Sequence, residues 1–158
     1  MERYPRACQR AVRVYLLHHA DAVSPAVDTQ RPLSSRGLVQ AERLAARAKA
    51  AGCAPSAIWH SGKLRARQTA GAFYRTCGPF AEFKMVRGLL PDDPPQYARD
   101  LVAGETRDVL LAGHMPNIRE VLRALAPGAA EFPLHGIVAL ESADEGLTWR
   151  ETWRAAPE

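Results

Sequence analysis

Short apolar runs alternate along the chain with longer segments of helical spacing. Runs rich in apolar and β-branched residues predict β-strands at 12–17, 56–60, 83–86 and 108–113. Apolar residues that recur every three or four positions predict helices at 37–51, 63–74, 96–102 and 116–125. This alternation is typical of an α/β fold, in which helices cover both faces of a largely parallel sheet.

Capping and turn residues indicate where the predicted elements begin and end. Ser34–Ser35 resembles a helix cap, Gly52 is a typical residue for a helix end, and Pro116 suits a first helical turn. The segment 136–153 predicts an antiparallel pair of strands that turns near 145–146. We therefore expect the chain to end in a hairpin.

Length and composition bound the class of protein. The chain has 158 residues, of which 47% are hydrophobic and 24% charged, as expected for one globular domain spanning 1–158. No apolar run approaches the ~20 residues that a helix needs to cross a bilayer. The apolar run near the N-terminus is too short for a signal peptide and lacks a small-residue cleavage site. We expect a single domain without a membrane partner.

The cysteine and charge patterns indicate the cellular compartment and the kind of partner. Cys8, Cys53 and Cys77 form no Cys-x-x-Cys pair, which favours free thiols in a reducing, cytoplasmic compartment. The net charge is +4, but Lys and Arg are interleaved with 17 acidic residues and form no basic block. This scatter argues against nucleic acid as a partner and favours a small anionic substrate.

Two histidines stand at the ends of the strongest predicted strands. His19 follows the first strand, and His114 follows the strand at 108–113. Because the carboxyl ends of parallel strands form the ligand crevice of an open α/β sheet, we expect these side chains to meet. A neutral imidazole can attack phosphorus, and a protonated one can donate to phosphate oxygens. Arg65 can hold two phosphoryl oxygens in its guanidinium fork, and helix N-terminal amides can add to this cradle.

Four ordered segments of the chain carry a family resemblance. His18–Asp21 is similar to a nucleophile motif Arg-His-Gly plus an acidic residue, and Arg31–Gly37 is similar to Arg-Pro-Leu-Thr with a following Gly. Ser61–Thr69 is similar to Ser-Pro-x-x-Arg-Ala-x-Gln-Thr, and Leu110–Asn117 is similar to a strand that ends in Gly/Ser-His-x-Pro. In this order the motifs resemble the phosphoglycerate mutase-like histidine phosphatase superfamily, and within it the short SixA-like phosphohistidine phosphatases.

This resemblance implies a three-layer α/β/α sandwich and a two-step reaction that needs no metal or cofactor. His19 would take up the phosphoryl group as a phosphohistidine, which water would then hydrolyse. Arg65 and His114 would bind the transferred group, with His18 beside them and Arg31 at the pocket rim. The implied substrates are phosphohistidine proteins or small phosphomonoesters. The short segment between Arg65 and His114 leaves little material for a lid, which favours a protein substrate.

Two positions depart from the nucleophile motif. His18 stands where the family has a phosphate-binding Arg, and Ala20 stands where it has Gly. An unperturbed histidine titrates near pH 6.5, so we expect a weaker pocket above neutrality and reduced or acid-shifted phosphatase activity. The methyl group of Ala20 would also strain the backbone if that position requires positive φ.

The general acid is the least defined part of the predicted site. Asp92 and Asp93 are the nearest carboxylates in the segment where many relatives carry this group, although both are also typical turn residues before Pro94. SixA-like proteins often lack an obvious acid. A protonated imidazole is a better leaving group than an alkoxide, so a phosphohistidine substrate needs less help from such a group.

The remaining polar residues near these motifs have simpler explanations. Lys63 and Arg67 are expected to be solvated, Asp21 to cap its loop, and His60 and His135 to lie outside the site.

Three alternatives to a phosphatase remain open. A degenerate relative would bind phosphate or phosphorylated partners without turnover, a basic nucleic-acid binder would show steep salt dependence, and a mutase would need a further substrate clamp.

Overall fold

The computed structural model describes residues 10–157, so Cys8 lies outside the described residues. The elements of the described part alternate as the sequence predicts, and the α/β fold class is confirmed. Residues 10–157 form six strands: β1 Val12–His18, β2 Ala57–His60, β3 Glu82–Met85, β4 Val109–Gly113, β5 Ile137–Ser142 and β6 Arg150–Ala155. Four helices connect them: α1 Ser35–Ala50, α2 Leu64–Cys77, α3 Pro95–Ala103 and α4 Asn117–Leu125.

All six strands join one sheet in the order β3-β2-β4-β1-β5-β6. The first four strands of this order are parallel, and β5 and β6 add an antiparallel hairpin beside β1. Every residue of β4 is buried, which explains why its sequence is a continuous apolar run rather than an alternating one. The edge strand β3 is mostly exposed and more polar.

Alternate residues of the central strands bury opposite faces of the sheet. Leu16 packs toward α3 and α4, whereas Leu17 packs toward α1 and α2. Because side chains alternate along a strand, one apolar run supplies the core on both faces. This arrangement produces the predicted three layers. No helix in the described part of the chain is both long enough and apolar enough to cross a membrane.

The observed helix ends differ slightly from the predicted ones. The hydroxyl of Ser34 accepts from the Gly37 amide at 3.0 Å, so α1 begins at Ser35, two residues earlier than predicted. Helix α2 continues to the buried Cys77 and ends at Gly78, because nothing before Gly78 interrupts the helix. Pro116 is the N-cap of α4 rather than its first residue.

The pairing of β1 with β4 determines where the site lies. His18 pairs with Gly113, and the amide of His19 donates to the Gly113 carbonyl at 3.1 Å. The next residues on the two strands, His19 and His114, therefore leave the sheet side by side at its carboxyl edge. Two residues 95 positions apart become neighbours through this register.

Gly37 allows the first turn of α1 to approach the loop that follows β1, and this gives a stability prediction. A Cβ atom at Gly37 would lie 1.9 Å from the main-chain oxygen of Asp21, which has no room to move. We expect Gly37→Ala to lower the free energy of unfolding by at least ~2 kcal/mol in urea denaturation.

Gly71 in α2 is the matched control. A Cβ there would meet only the flexible end of Arg75 at 3.3 Å, so Gly71→Ala should be neutral or stabilising by up to ~1 kcal/mol. Equal unfolding free energies for the two variants would contradict the close approach at Gly37.

Candidate active site

His19 and His114 form the centre of the site. Their ring centroids are 5.1 Å apart, and the two residues are only 8% and 1% exposed. The structure therefore brings together the two histidines that the strand ends predicted to meet. Both lie at the carboxyl edge of the sheet, next to the first turn of α2.

The proton of His19 is located by its main-chain neighbour. Its Nδ1 lies 2.7 Å from the carbonyl oxygen of Ala20, which can only accept a hydrogen bond, so Nδ1 carries the proton. The lone pair of the neutral ring is then on Nε2. Arg65 donates to this atom from Nε at 3.3 Å. The nitrogen of His19 that carries the lone pair thus lies beside a guanidinium group.

Burial keeps the central histidines uncharged. It lowers the pKa of His19 to about 4, with the positive charge of Arg65 contributing in the same direction. Burial, then His19 and Arg65, lower the pKa of His114 to about 3. Both rings are therefore neutral from pH 5 to 8, the state that nucleophilic attack by His19 requires.

Residues of α2 anchor the loop after β1 to the helix that carries Arg65. The hydroxyl of Thr69 accepts from the Ala20 amide at 3.0 Å and donates to the Arg65 carbonyl at 2.8 Å. Gln68 accepts from the Leu33 amide at 2.7 Å. Gln68 and Thr69 belong to the motif at Ser61–Thr69, which by itself predicts no role for either. Their spacing of three and four residues from Arg65 places all three on one helix face.

Arg31 lies near the pocket. Its positive charge contributes to lowering the pKa of His19 and of His114. Its φ is 49°, in the left-handed region, and its Nε donates to the Val23 carbonyl at 3.0 Å. The pocket thus has a second guanidinium close to it, held in place by the main chain.

Four polar residues near the motifs lie where the sequence predicts: Lys63, Arg67, Asp21 and His60. Lys63 and Arg67 are exposed. The carboxylate of Asp21 accepts from the Ser34 hydroxyl at 2.6 Å, which fits a loop cap. His60 accepts from the Gly62 amide at 3.0 Å through Nδ1, and its ring lies beside Phe83.

His18 differs from its sequence-based description. Its Nδ1 accepts from the His135 main-chain amide at 2.8 Å, so the proton of the neutral ring is on Nε2. Burial, followed by the neighbouring His19 and His135, lowers the pKa of His18 to about 2. The expectation that His18 gains charge near pH 6.5 is therefore wrong, because it ignored burial. His18 is therefore a neutral ring with an N–H group from pH 5 to 8.

The expectation that His135 lies outside the site is also wrong. Its ring stacks on His18 with centroids 4.9 Å apart, and its Nδ1 lies 2.7 Å from the carbonyl oxygen of His19. No motif or spacing reveals this, since His135 is 116 residues from His19 in sequence. The pairing of β5 with β1 brings the loop before β5 to the pocket.

Ala20 fits its position without strain. It is not among the described residues with positive φ, so the backbone cost considered at the sequence level does not arise. Its methyl group packs in a small buried cluster with Leu33, Ala41 and Ala72.

The two candidate acids occupy different surroundings. Asp92 is exposed, whereas Asp93 is half-buried and accepts from the Leu90 amide at 3.0 Å. Asp93 also lines a cleft of about 570 Å³ that reaches Ser61. The hydroxyl of Ser61 lies 2.7 Å from Nε2 of His114, so this cleft adjoins the pocket. Of the two carboxylates, Asp93 is therefore the one that lies in a cleft next to the pocket, where a general acid would be needed.

The electrostatics of the pocket suit an anion better than a metal ion. One nitrogen from each of His18, His19 and His135 lies within 4.8 Å of the others, a spacing that could accommodate a metal. The ring of His18, however, uses its lone pair to accept the His135 amide and offers a proton instead. The nearby charges acting on His114 are those of Arg65, Lys63 and Arg31, all positive. They favour a bound anion over a cation.

The fold and these side chains form a pocket of paired histidines beside Arg65 at the carboxyl edge of the sheet. Residues 15–89 match the model of the histidine phosphatase superfamily (branch 1). A structure from Agrobacterium tumefaciens assigned as phosphohistidine phosphatase SixA is 28% identical, with a TM-score of 0.76 and coverage of 93% of this chain and 99% of that one. The chain is therefore similar to the histidine phosphatase superfamily in sequence over residues 15–89 and in fold over nearly its whole length.

Two further structures show the same fold. The protein histidine phosphatase SixA complexed with tungstate has a TM-score of 0.79 at 22% identity, covering 92% of this chain and 97% of that chain. Mycobacterial glucosyl-3-phosphoglycerate phosphatase has a TM-score of 0.67 at 18% identity, covering 93% and 100%. No curated protein sequence shows significant similarity to the chain.

The lowered histidine pKa values give a prediction for stability against pH. The pKa values of His18, His19 and His114 in the folded state all lie below the ordinary value of 6.5. The unfolded chain therefore binds more protons as the pH falls from about 6.5 toward 4. The free energy of unfolding should fall over this window by up to about 1.4 kcal/mol per pH unit for each histidine.

Urea denaturation at pH 7, 6, 5 and 4.5 measures this slope. His18→Gln removes one contributor and should give a shallower dependence on pH than the wild type. An unfolding free energy that stays constant between pH 6.5 and 4.5 would show that these rings are not held neutral by the fold.

Proposed function

We propose that this chain is a metal-independent phosphatase that forms a phosphohistidine on His19. The observation that carries the proposal is the state of the His19 ring. It is neutral, its Nδ1 proton is held by the Ala20 carbonyl, and its Nε2 lone pair lies beside Arg65. A nucleophile for phosphoryl transfer needs this combination of a free lone pair and an adjacent cation.

In the first step, Nε2 of His19 forms a bond to phosphorus as the bond to the leaving group breaks. The leaving group takes the bonding electrons. An imidazole that is protonated in a phosphohistidine substrate leaves as a neutral ring, whereas the alkoxide of an ester takes a proton from solvent through Asp93. Arg65 and His114 hold the equatorial oxygens, and the charge of Arg65 offsets theirs. The ring becomes positively charged on phosphorylation, and the Nδ1 hydrogen bond to the Ala20 carbonyl stabilises that charge.

In the second step, water attacks phosphorus and the bond to Nε2 breaks. His19 leaves with its electron pair restored, and the proton of the attacking water passes to the phosphate product. The products are neutral His19 and inorganic phosphate, so the enzyme returns to its initial state. No group outside the described pocket is needed to balance this sequence.

The cleft beside Ser61 supports a substrate with a sizeable leaving group. Met85, Leu90 and Tyr97 contribute exposed apolar surface to this cleft of about 570 Å³. It offers room for the imidazole and neighbouring residues of a phosphohistidine protein, and also for a small phosphomonoester. We propose the phosphohistidine protein as the main substrate, in line with the similarity to SixA structures.

Phosphate binding without turnover is the second candidate function. It is favoured by the neutral state of His18, which leaves the pocket with one cation fewer than the family motif provides. If the loss of this cation does not abolish turnover, it should still lower the phosphatase activity.

We also propose a cytoplasmic location, which the free buried thiols of Cys53 and Cys77 support.

Turnover separates these two functions. We expect the wild type to hydrolyse an aryl phosphate and a phosphohistidine peptide between pH 5 and 8, also in the presence of a chelator. His19→Ala should abolish hydrolysis, and Arg65→Ala should lower kcat/KM by roughly 100-fold because it removes the cation facing the phosphoryl group. Rapid quenching should trap an acid-labile, alkali-stable phosphoryl group on the wild-type protein.

Arg67→Ala is the matched control, since Arg67 is exposed two residues further along α2. It should retain activity within about 2-fold of the wild type. Binding of inorganic phosphate by a wild type that shows no turnover on either substrate would instead identify a phosphate-binding protein.

The position of Asp93 predicts a role that depends on the leaving group. Because an alkoxide or phenolate needs a proton more than an imidazole does, Asp93→Asn should lower hydrolysis of the aryl phosphate by roughly 10-fold or more. Hydrolysis of the phosphohistidine peptide should change by less than about 3-fold. Asp92→Asn is the control, and equal effects of the two variants on the ester would remove Asp93 as the acid.

A further inference from the structure

His135 makes three contacts to the residues that carry the pocket. Its main-chain amide donates to Nδ1 of His18 at 2.8 Å, its Nδ1 donates to the His19 carbonyl at 2.7 Å, and its ring stacks on His18 at an interplanar angle of 7°. It lies outside the segment that matches the family model. No motif in the sequence accounts for these contacts.

The backbone at His135 is held in an unusual conformation that makes these contacts possible. Its φ is 56°, in the left-handed region, which L-residues adopt only when surrounding contacts compensate for the cost. In this conformation the amide and the side chain of one residue reach two consecutive residues, His18 and His19. This left-handed residue therefore lies at the pocket.

The main-chain partners give the neighbouring rings opposite tautomers. His18 must carry its proton on Nε2, because its Nδ1 accepts from an amide that can only donate. His19 and His135 must carry theirs on Nδ1, because each faces a carbonyl that can only accept. His18 therefore keeps a free N–H donor, whereas His19 keeps a free lone pair.

We propose that His135 is a positioning residue of the phosphate pocket: its amide holds His18 as a neutral Nε2–H donor to a phosphoryl oxygen, and its imidazole holds the main chain of His19. In this pocket a directed N–H group replaces the guanidinium of the family motif. The kinetic part of this inference rests on the proposed phosphatase function, whereas the tautomers and oxyanion binding do not require turnover.

The tautomers are directly measurable by long-range ¹H–¹⁵N correlation of the histidine rings at pH 7. The chain has five histidines, and His18→Gln assigns the His18 signals. We expect the Nε2–H form for His18 and the Nδ1–H form for His19 and His135. An Nδ1–H form or a charged ring for His18 would overturn the assignment.

Substitution of His135 separates the contribution of its amide from that of its ring. His135→Gly keeps the amide and accepts positive φ without strain, so the fold should be preserved. His18 should then remain in the Nε2–H form, while the bond to the His19 carbonyl is lost. We expect kcat to fall roughly 10-fold with KM changed by less than about 3-fold, because the nucleophile is less well positioned.

His135→Asn is the rescue variant. The amide nitrogen of Asn occupies the place of Nδ1 on an imidazole, and Asn tolerates the left-handed region. It should restore most of kcat by donating to the His19 carbonyl. Equal kcat values for the Gly and Asn variants, or a Gly variant as active as the wild type, would overturn the role of the ring.

Tungstate binding tests the donor role of His18 without turnover. His18→Phe removes the Nε2–H group and should weaken the affinity for tungstate at least about 10-fold. His18→Gln keeps an N–H group at a similar position, so its affinity should stay within about 3-fold of the wild type. Circular dichroism establishes that both variants are folded. Equal affinities for the two variants would overturn the donor role even if hydrolysis depends on His19.

Discussion

The parallel pairing of β1 with β4 is the constraint on which the site depends. The register that aligns His18 with Gly113 delivers His19 and His114 to the same edge of the sheet. The apolar residues of both strands are buried on two faces, so a shift of one residue would exchange the two core layers. The packing that stabilises the fold thus also determines the separation of the two central imidazoles.

Main-chain groups decide which nitrogen of each pocket histidine carries the proton. The carbonyls of Ala20 and His19 require a donor, and the amide of His135 requires an acceptor. These groups belong to the loops that leave β1 and enter β5, and they cannot rearrange without disturbing the sheet. The pocket therefore holds a free lone pair and a free N–H group on adjacent residues, both on uncharged rings.

Burial and positive charge act together on the pocket. Both lower the pKa of His19 and of His114, so the rings are neutral while Arg65 remains charged. The arrangement combines an uncharged imidazole with a cation that favours a bound anion. His18 stands where the similar motif has an arginine, so the pocket has one cation fewer and His18 contributes a directed N–H group instead.

The sequence by itself determined the α/β fold, the order of its elements and the proximity of His19 to His114, because apolar periodicity and strand ends are local signals. It also indicated Arg65 through a local motif. Only the tertiary structure decided the protonation state of His18, the place of His135 and the difference between Asp92 and Asp93. These depend on burial and on main-chain groups from distant segments, which sequence patterns do not contain.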